Sequence, residues 1–125
     1  MNWAEQLPKG CPPNDAFPPD QESPFYRLIE GSEPTAIDFH SHRMRWPDMN
    51  FNAEECIARA VSIHNNIDSC KKVRKYPTQK NKKMIKIILS EKSGVIKRQG
   101  RSGGHFSWWR TKEFNALECC EVLED

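Results

Sequence analysis

Hydrophobic and polar positions alternate along much of the chain in short runs, which is typical of β-strands. The segment 84–90 is nearly all apolar apart from Lys86, as expected for a central strand with both faces buried. The other runs predicted as strands are residues 25–29, 35–42, 71–76, 95–98, His105–Arg110 and 119–123. Residues 91–94 are typical of a hairpin turn between two neighbouring strands. We predict that five or six of these seven runs form a mostly antiparallel sheet.

One segment has helical rather than alternating periodicity. Positions 53, 56, 57, 60, 61 and 64 form a stripe on one face of a helix. Asn52 precedes the stripe as an N-cap, and Glu54 and Glu55 lie in the first turn, where the helix dipole favours acids. The pattern predicts one main helix over residues 53–65, ended by Asn65 and Asn66.

The beginning of the chain differs in composition from the rest. Residues 1–24 hold six of the nine prolines, and each proline fixes φ and removes a backbone donor. We therefore predict an extended Pro-rich arm over 1–24 and a single α+β domain over 25–125, with the main helix packed on the sheet. Trp3, Leu7 and Phe17 are the residues expected to attach the arm to the domain.

The net charge of +2 conceals a strong separation of charge. Residues 71–112 hold fourteen of the nineteen Lys and Arg with a single acid, Glu91, whereas residues 1–55 carry ten acids and four bases. Such a basic segment attracts a negatively charged partner or the chain's own acids. The partner we expect is nucleic acid or a nucleotide. No apolar run reaches the roughly 20 residues that cross a bilayer, so no membrane partner is predicted.

Charge, glycine and aromatic residues coincide at residues 98–110. Glycine lets a backbone approach an anion, arginine binds phosphate through two nitrogens, and aromatic rings stack on bases. The predicted ligand-binding residues of this segment are Arg98, Arg101 and Trp108, with His105 beside them. Residues 100–104 are predicted to form a Gly-rich loop, which lacks the Gly-x-x-x-x-Gly-Lys-Ser/Thr pattern of a P-loop.

The segment 35–42 contains two histidines that are separated by one residue. His40 and His42 would share one face of a strand, next to Arg43, and could bind a ligand or transfer protons. No third metal ligand is evident, so ordinary hydrogen bonds are expected and no metal site is predicted.

Three short motifs resemble the ADP-ribosyltransferase superfamily: Phe25-Tyr26-Arg27, Phe106-Ser107-Trp108 and Glu121-Val122-Leu123. The resemblance implies that Arg27 holds the phosphates of NAD, that Ser107 orients the ribose, and that Glu121 stabilises the cation-like transition state. Many members have Glu or Gln two residues before the catalytic Glu, where this chain has Cys119.

Three functions follow from these patterns. The first is an enzyme on a phosphate-rich substrate, NAD or RNA, with His42, His105 and Glu121 as catalytic residues and Arg27 and His40 among the ligand-binding ones. The second is a non-catalytic nucleic-acid-binding domain. The third is a protein-binding or inhibitor module.

Cysteine usage bears on the compartment. The five cysteines are odd in number and contain no Cys-x-x-Cys, which favours reduced, mostly buried thiols. The sequence near Met1 lacks a basic region followed by an apolar core, so a cytoplasmic location is predicted.

Overall fold

The computed structural model describes residues 1–19, 21–100 and 103–123. Within these residues six strands form one antiparallel sheet with the order β4-β5-β2-β1-β3-β6. The strands are β1 Ser23–Ile29, β2 Val61–His64, β3 Lys83–Leu89, β4 Gly94–Arg98, β5 His105–Arg110 and β6 Cys120–Val122. The α+β class and the antiparallel sheet are therefore confirmed.

Helices are short in the part of the chain that the structure describes. The α-helices are α1 His42–Arg45, α2 Glu55–Ala58 and α3 Ile67–Val73, and the 3-10 helices are Ala36–Phe39, Glu91–Ser93 and Ala116–Cys119. The main helix is α3, whose N-cap Asn66 accepts a hydrogen bond from the backbone N–H of Ser69 at 2.8 Å. Of these helices, none is both long and apolar enough to span a membrane.

The helix predicted over 53–65 is wrong. A single helical turn, α2, is followed by β2, in which the β-branched residues Val61 and Ile63 are buried and pair with Trp108 and Phe106 of β5. Val61 and Ile63 fit a helical stripe as well as the alternation of a strand. Their burial on one face of β2 and the pairing of β2 with β5 decide in favour of the strand.

Two predicted strands are also helical. The segment 35–42 forms a 3-10 helix and the start of α1, because the Asp38 carboxylate accepts backbone N–H bonds from Thr35 at 2.8 Å and Glu30 at 3.1 Å. Such side-chain acceptors compete with a strand ladder. The segment 71–76 continues from α3, which begins where Asn66 was expected to end a helix.

The predicted hairpin at 91–94 is wrong as well, since β3 and β4 are not neighbours in the sheet. The chain instead passes from β3 to the edge strand β4 through the 3-10 helix Glu91–Ser93. Gly94 ends this connection with φ +123°, and a Cβ there would lie 2.0 Å from the carbonyl oxygen of Trp109. Only glycine fits this position.

The core is formed by buried residues of the central strands, such as Phe25 of β1, Ile63 of β2 and Phe106 of β5. Its largest fully buried side chains include Trp108, Ile63 and Ile85. Trp108 Nε1 donates to the carbonyl of Ser93 at 3.0 Å, so the buried indole has its polar group satisfied.

The N-terminal arm lies against this sheet. Phe17 exchanges two backbone hydrogen bonds with Ile96 and so pairs with the edge strand β4, and Trp3 forms a β-bridge with Thr111. Cys11 is joined to Cys56 by a disulfide, which corrects the expectation of reduced thiols throughout. Cys70, Cys119 and Cys120 are free.

Candidate anion-binding cavity

The sheet opens between β1 and β2. Their register contains a single pair, Tyr26 with His64. Beyond this pair, Arg27 Nε donates to the carbonyl of Asp38 at 2.8 Å and Nη1 donates to the carbonyl of Ser62 at 2.5 Å. The guanidinium is therefore held between β1 and β2 by backbone acceptors on two segments.

A cavity of about 260 Å³ lies at this opening. Its positively charged residues are Arg27, Arg45 and Lys82, and its acids are Glu30 and Asp38. The other lining residues are Leu28, His42, Trp46, Ser62, His64, Cys70, Val73 and Gln79. Three cations and two carboxylates give the lining a net charge of +1, which attracts an anionic ligand.

Arg27 is the most constrained of these cations. Burial lowers its pKa to about 10, against the opposing effect of the Asp38 carboxylate, so the side chain remains charged at neutral pH. Nε and Nη1 are occupied by the two carbonyls, and no described residue accepts a hydrogen bond from Nη2. A fixed guanidinium in the cavity wall with a remaining donor is suited to an anionic ligand.

His42 responds to the same group of charges. Burial lowers its pKa, and the nearby charges of Arg27, Arg45 and Lys82 lower it further. His42 is consequently neutral at pH 7 and can donate or accept a hydrogen bond. Its ring lies 5.6 Å from that of Trp46 in an edge-on arrangement.

Glu30 binds two of the cations. Its Oε1 lies 2.8 Å from Lys82 Nζ and 3.5 Å from Arg45 Nη2, while its side chain remains 53% exposed. The hydrogen bond from Lys82 is the main reason that the Glu30 pKa lies below its usual value. The sheet register produces this contact, because Ile29 pairs with Lys83.

Two histidines lie behind the opening, where β2 meets β5. His64 and His105 pair across the strands, and their rings stack with centroids 5.3 Å apart. Ser62 Oγ lies 2.5 Å from His105 Nε2, and His64 Nδ1 lies 2.7 Å from Ser69 Oγ. Burial lowers the pKa of both rings, that of His64 to about 4, so both are neutral at pH 7.

Of the residues predicted from sequence, Arg27 and His42 line the same cavity, and His105 is connected to it through Ser62. His40 lies elsewhere, in a separate cavity of about 360 Å³ beside Arg110. Glu121 lines a third cavity of about 430 Å³. The strand expected to place His40 and His42 on one face does not form.

The residues predicted around the Gly-rich loop are engaged in the fold. Arg98 Nη1 donates to the carbonyl of Gly103 at 2.7 Å, and its guanidinium lies over the Phe106 ring. Ser107 is buried and Trp108 is 0% exposed, so the expected stacking on Trp108 finds no exposed ring face. Arg101 lies outside the described residues.

Sequence reasoning missed several lining residues, namely Glu30, Arg45, Trp46, Ser62, His64 and Lys82. Arg45 and Trp46 follow His42 closely, and this cluster of a histidine, arginines and a tryptophan was the available signal. Lys82 is one of the fourteen basic residues of the segment 71–112, and its sequence neighbours do not distinguish it from the others. Within the described residues, no group of three or more potential metal ligands occurs.

Comparisons of the chain with protein-family models, with curated proteins and with solved structures give no match.

Proposed function

We propose that this protein binds a nucleotide through its phosphate groups in the cavity between β1 and β2. The observation that carries the proposal is the position of Arg27, fixed by two backbone carbonyls at the opening of the sheet, with Nη2 left to a ligand. Arg45 and Lys82 line the same cavity, so a phosphate there would meet three cations.

Phosphate suits this arrangement better than a carboxylate does. A ligand carboxylate carries one charge and would have to replace the protein's own Glu30 carboxylate, which already binds Lys82 and Arg45. A diphosphate carries more charge and more acceptor oxygens, which lets it contact Arg27 and the other two cations together. Neutral His42 adds a hydrogen-bonding group without adding charge.

Calorimetric titration with inorganic pyrophosphate, ADP and NAD tests the proposal. Lys82→Met is expected to weaken binding about tenfold, because it removes a charge-assisted contact of about 1.4 kcal/mol. Arg27→Lys keeps the charge but loses the planar donor fork, and weakens binding similarly.

The matched control is Lys97→Met. Lys97 is also paired with an acid, Asp15 at 3.1 Å, but it lies on β4 towards the Gly-rich loop. It is expected to leave affinity within about twofold of wild type, a change of less than about 0.5 kcal/mol. Loss of affinity in Lys97→Met but not in Lys82→Met would move the binding site to the loop and contradict the proposal.

The resemblance to ADP-ribosyltransferases supports NAD as one of the nucleotides to be tested. Arg27, the residue that the resemblance assigns to the phosphates, is the central residue of the proposed site. Glu121, its catalytic counterpart, lines a different cavity. The proposal is therefore nucleotide binding, without transfer through Glu121. Nucleic-acid and protein partners stay predictions.

Turnover of the ligand is a second candidate, which the Ser62–His105 contact favours. Neutral His105 with its proton on Nδ1 can accept the Ser62 hydroxyl proton at Nε2, which is the arrangement of an activated nucleophile. Incubation with labelled NAD and with RNA tests it. Turnover that Ser62→Ala abolishes would support the candidate, and turnover equal in wild type and Ser62→Ala would exclude it.

The compartment is also a matter of proposal. Disulfides persist in oxidising compartments and are rare in the cytosol, so the Cys11–Cys56 disulfide favours an oxidising compartment over the predicted cytoplasmic location. Alkylation of thiols in freshly lysed source cells, followed by mass spectrometry, decides between them. Labelling of Cys11 and Cys56 would support the cytoplasm.

A further inference from the structure

Trp46 lies where the cavity meets solvent. It follows the last residue of α1 as its C-cap, and the next residue is Pro47, which cannot continue the helix. Its side chain lines the cavity and is nevertheless 43% exposed. Arg45 and His42 already contact this indole, so a ligand would meet the part of the ring that remains exposed.

Arg45 connects this ring to the phosphate site. Its guanidinium carbon lies 4.8 Å from the centroid of Trp46, and its Nη2 lies 3.5 Å from Glu30 within the cavity. One side chain thus contacts both the aromatic ring and the anion-binding region. The ring and the anion-binding region are therefore adjacent, so a ligand whose phosphates contact Arg45 would lie next to Trp46.

The size of the cavity agrees with this division. Pockets that enclose a whole small ligand measure about 300–1,000 Å³. The cavity here, at about 260 Å³, falls below this range. It can hold phosphates and part of a ribose, and the base would remain at the mouth, beside Trp46.

We propose that Trp46 is the stacking surface for the base of the nucleotide whose phosphates are bound by Arg27, Arg45 and Lys82. The inference rests on the proposed function and specifies its ligand as a base-bearing nucleotide rather than a simple phosphate. Stacking tolerates any base, because every base has a π-face. Affinity should therefore depend on the presence of a base more than on its identity.

The test compares ADP with inorganic pyrophosphate, by calorimetry and by quenching of tryptophan fluorescence. Wild type is expected to bind ADP about tenfold more tightly than pyrophosphate, within the range measured for base–aromatic stacking. Trp46→Ala should remove this advantage, so that ADP and pyrophosphate bind with about equal affinity, and Trp46→Phe should keep part of it. The pyrophosphate titration also verifies that each variant is folded and competent.

Tyr76→Ala is the matched control, because Tyr76 is an exposed aromatic residue outside the cavity lining. It should retain the ADP advantage. If pyrophosphate binds through Lys82 but Trp46→Ala leaves the ADP advantage intact, the stacking inference is overturned while the proposed function stands. If neither pyrophosphate nor ADP binds at millimolar concentration, both are overturned. Binding of single-stranded RNA that depends on Trp46, without binding of ADP, would also overturn a free nucleotide as the ligand.

Discussion

Replacing Glu30 with glutamine is expected to tighten phosphate binding in the cavity about fivefold. In the structure the Glu30 carboxylate binds Lys82 at 2.8 Å and Arg45 at 3.5 Å, and a phosphate must compete with it for both cations. Glutamine has nearly the same shape but no charge, so the change removes the competition and the repulsion between carboxylate and phosphate.

The magnitude follows from the exposure of the side chain. Two unit charges 4 Å apart interact with about 1 kcal/mol in water and about 4 kcal/mol at an effective dielectric constant of about 20. Because Glu30 is 53% exposed, the water-like end of this range applies. Removal of about 1 kcal/mol of repulsion corresponds to about fivefold in the dissociation constant. The gain should shrink as salt concentration rises.

Titration of pyrophosphate into Glu30→Gln at two ionic strengths measures this effect. Exposed ion pairs contribute about 0–1 kcal/mol to stability, so the variant should remain folded. Glu33→Gln is the control, because Glu33 is an exposed acid nearby that does not line the cavity. An unchanged or weaker affinity in Glu30→Gln, with Glu33→Gln equal to wild type, would refute the reasoning.

Three further predictions concern the fold. Cys11→Ser should lower the free energy of unfolding by up to about 4 kcal/mol in urea titrations, since the disulfide closes a loop with a sequence separation of 45; reductant should then have no further effect. Gly94→Ala should cost more than about 2 kcal/mol, because its Cβ would overlap the Trp109 carbonyl, whereas Gly10→Ala, with φ +79° and open space around it, should cost about 1 kcal/mol; equal losses would contradict this reason. The pKa of His64 is lowered from 6.5 to about 4, so between these pH values the unfolded chain binds more protons than the folded one. The contribution of neutral His64 to the free energy of unfolding should therefore be fully present above pH 6.5 and be lost as the pH falls towards 4. A loss of up to about 3 kcal/mol is expected in urea titrations over that range, and His64→Gln should flatten the profile.

Local sequence patterns predicted the strands better than the helices. β3 and β5 correspond to dense runs of apolar and aromatic residues, which few other conformations would bury. The segment 53–65 was ambiguous, because the residues that form a helical stripe also include the alternating pair Val61 and Ile63. The pairing of β2 with β5 decides the conformation there, and that pairing is not local in sequence.

The candidate site was predictable only in part for the same reason. Arg27 was proposed from the resemblance to ADP-ribosyltransferases, and His42 from its position beside His40 and Arg43; both line the cavity. Lys82 was not proposed, because it reaches the cavity only through the register of β3 against β1. Trp108 was predicted to bind a ligand because it lies among arginines and glycines in the sequence. In the structure it belongs to β5, whose residues are buried on both faces of the sheet.

Arg27 is the residue whose local environment least matches its chemistry. On β1 it lies between Phe25 and Ile29, both buried in the core, and it pairs with the fully buried Ile85 of β3. An apolar residue would satisfy the alternation of this strand, whereas a guanidinium must be desolvated, as its lowered pKa reflects. Its hydrogen bonds to two backbone carbonyls offset that cost only in part, since a third nitrogen has no acceptor among the described residues. Positions at which a chain departs from its own pattern, without full compensation within the fold, are where function is expected, and here the departure coincides with the opening of the sheet.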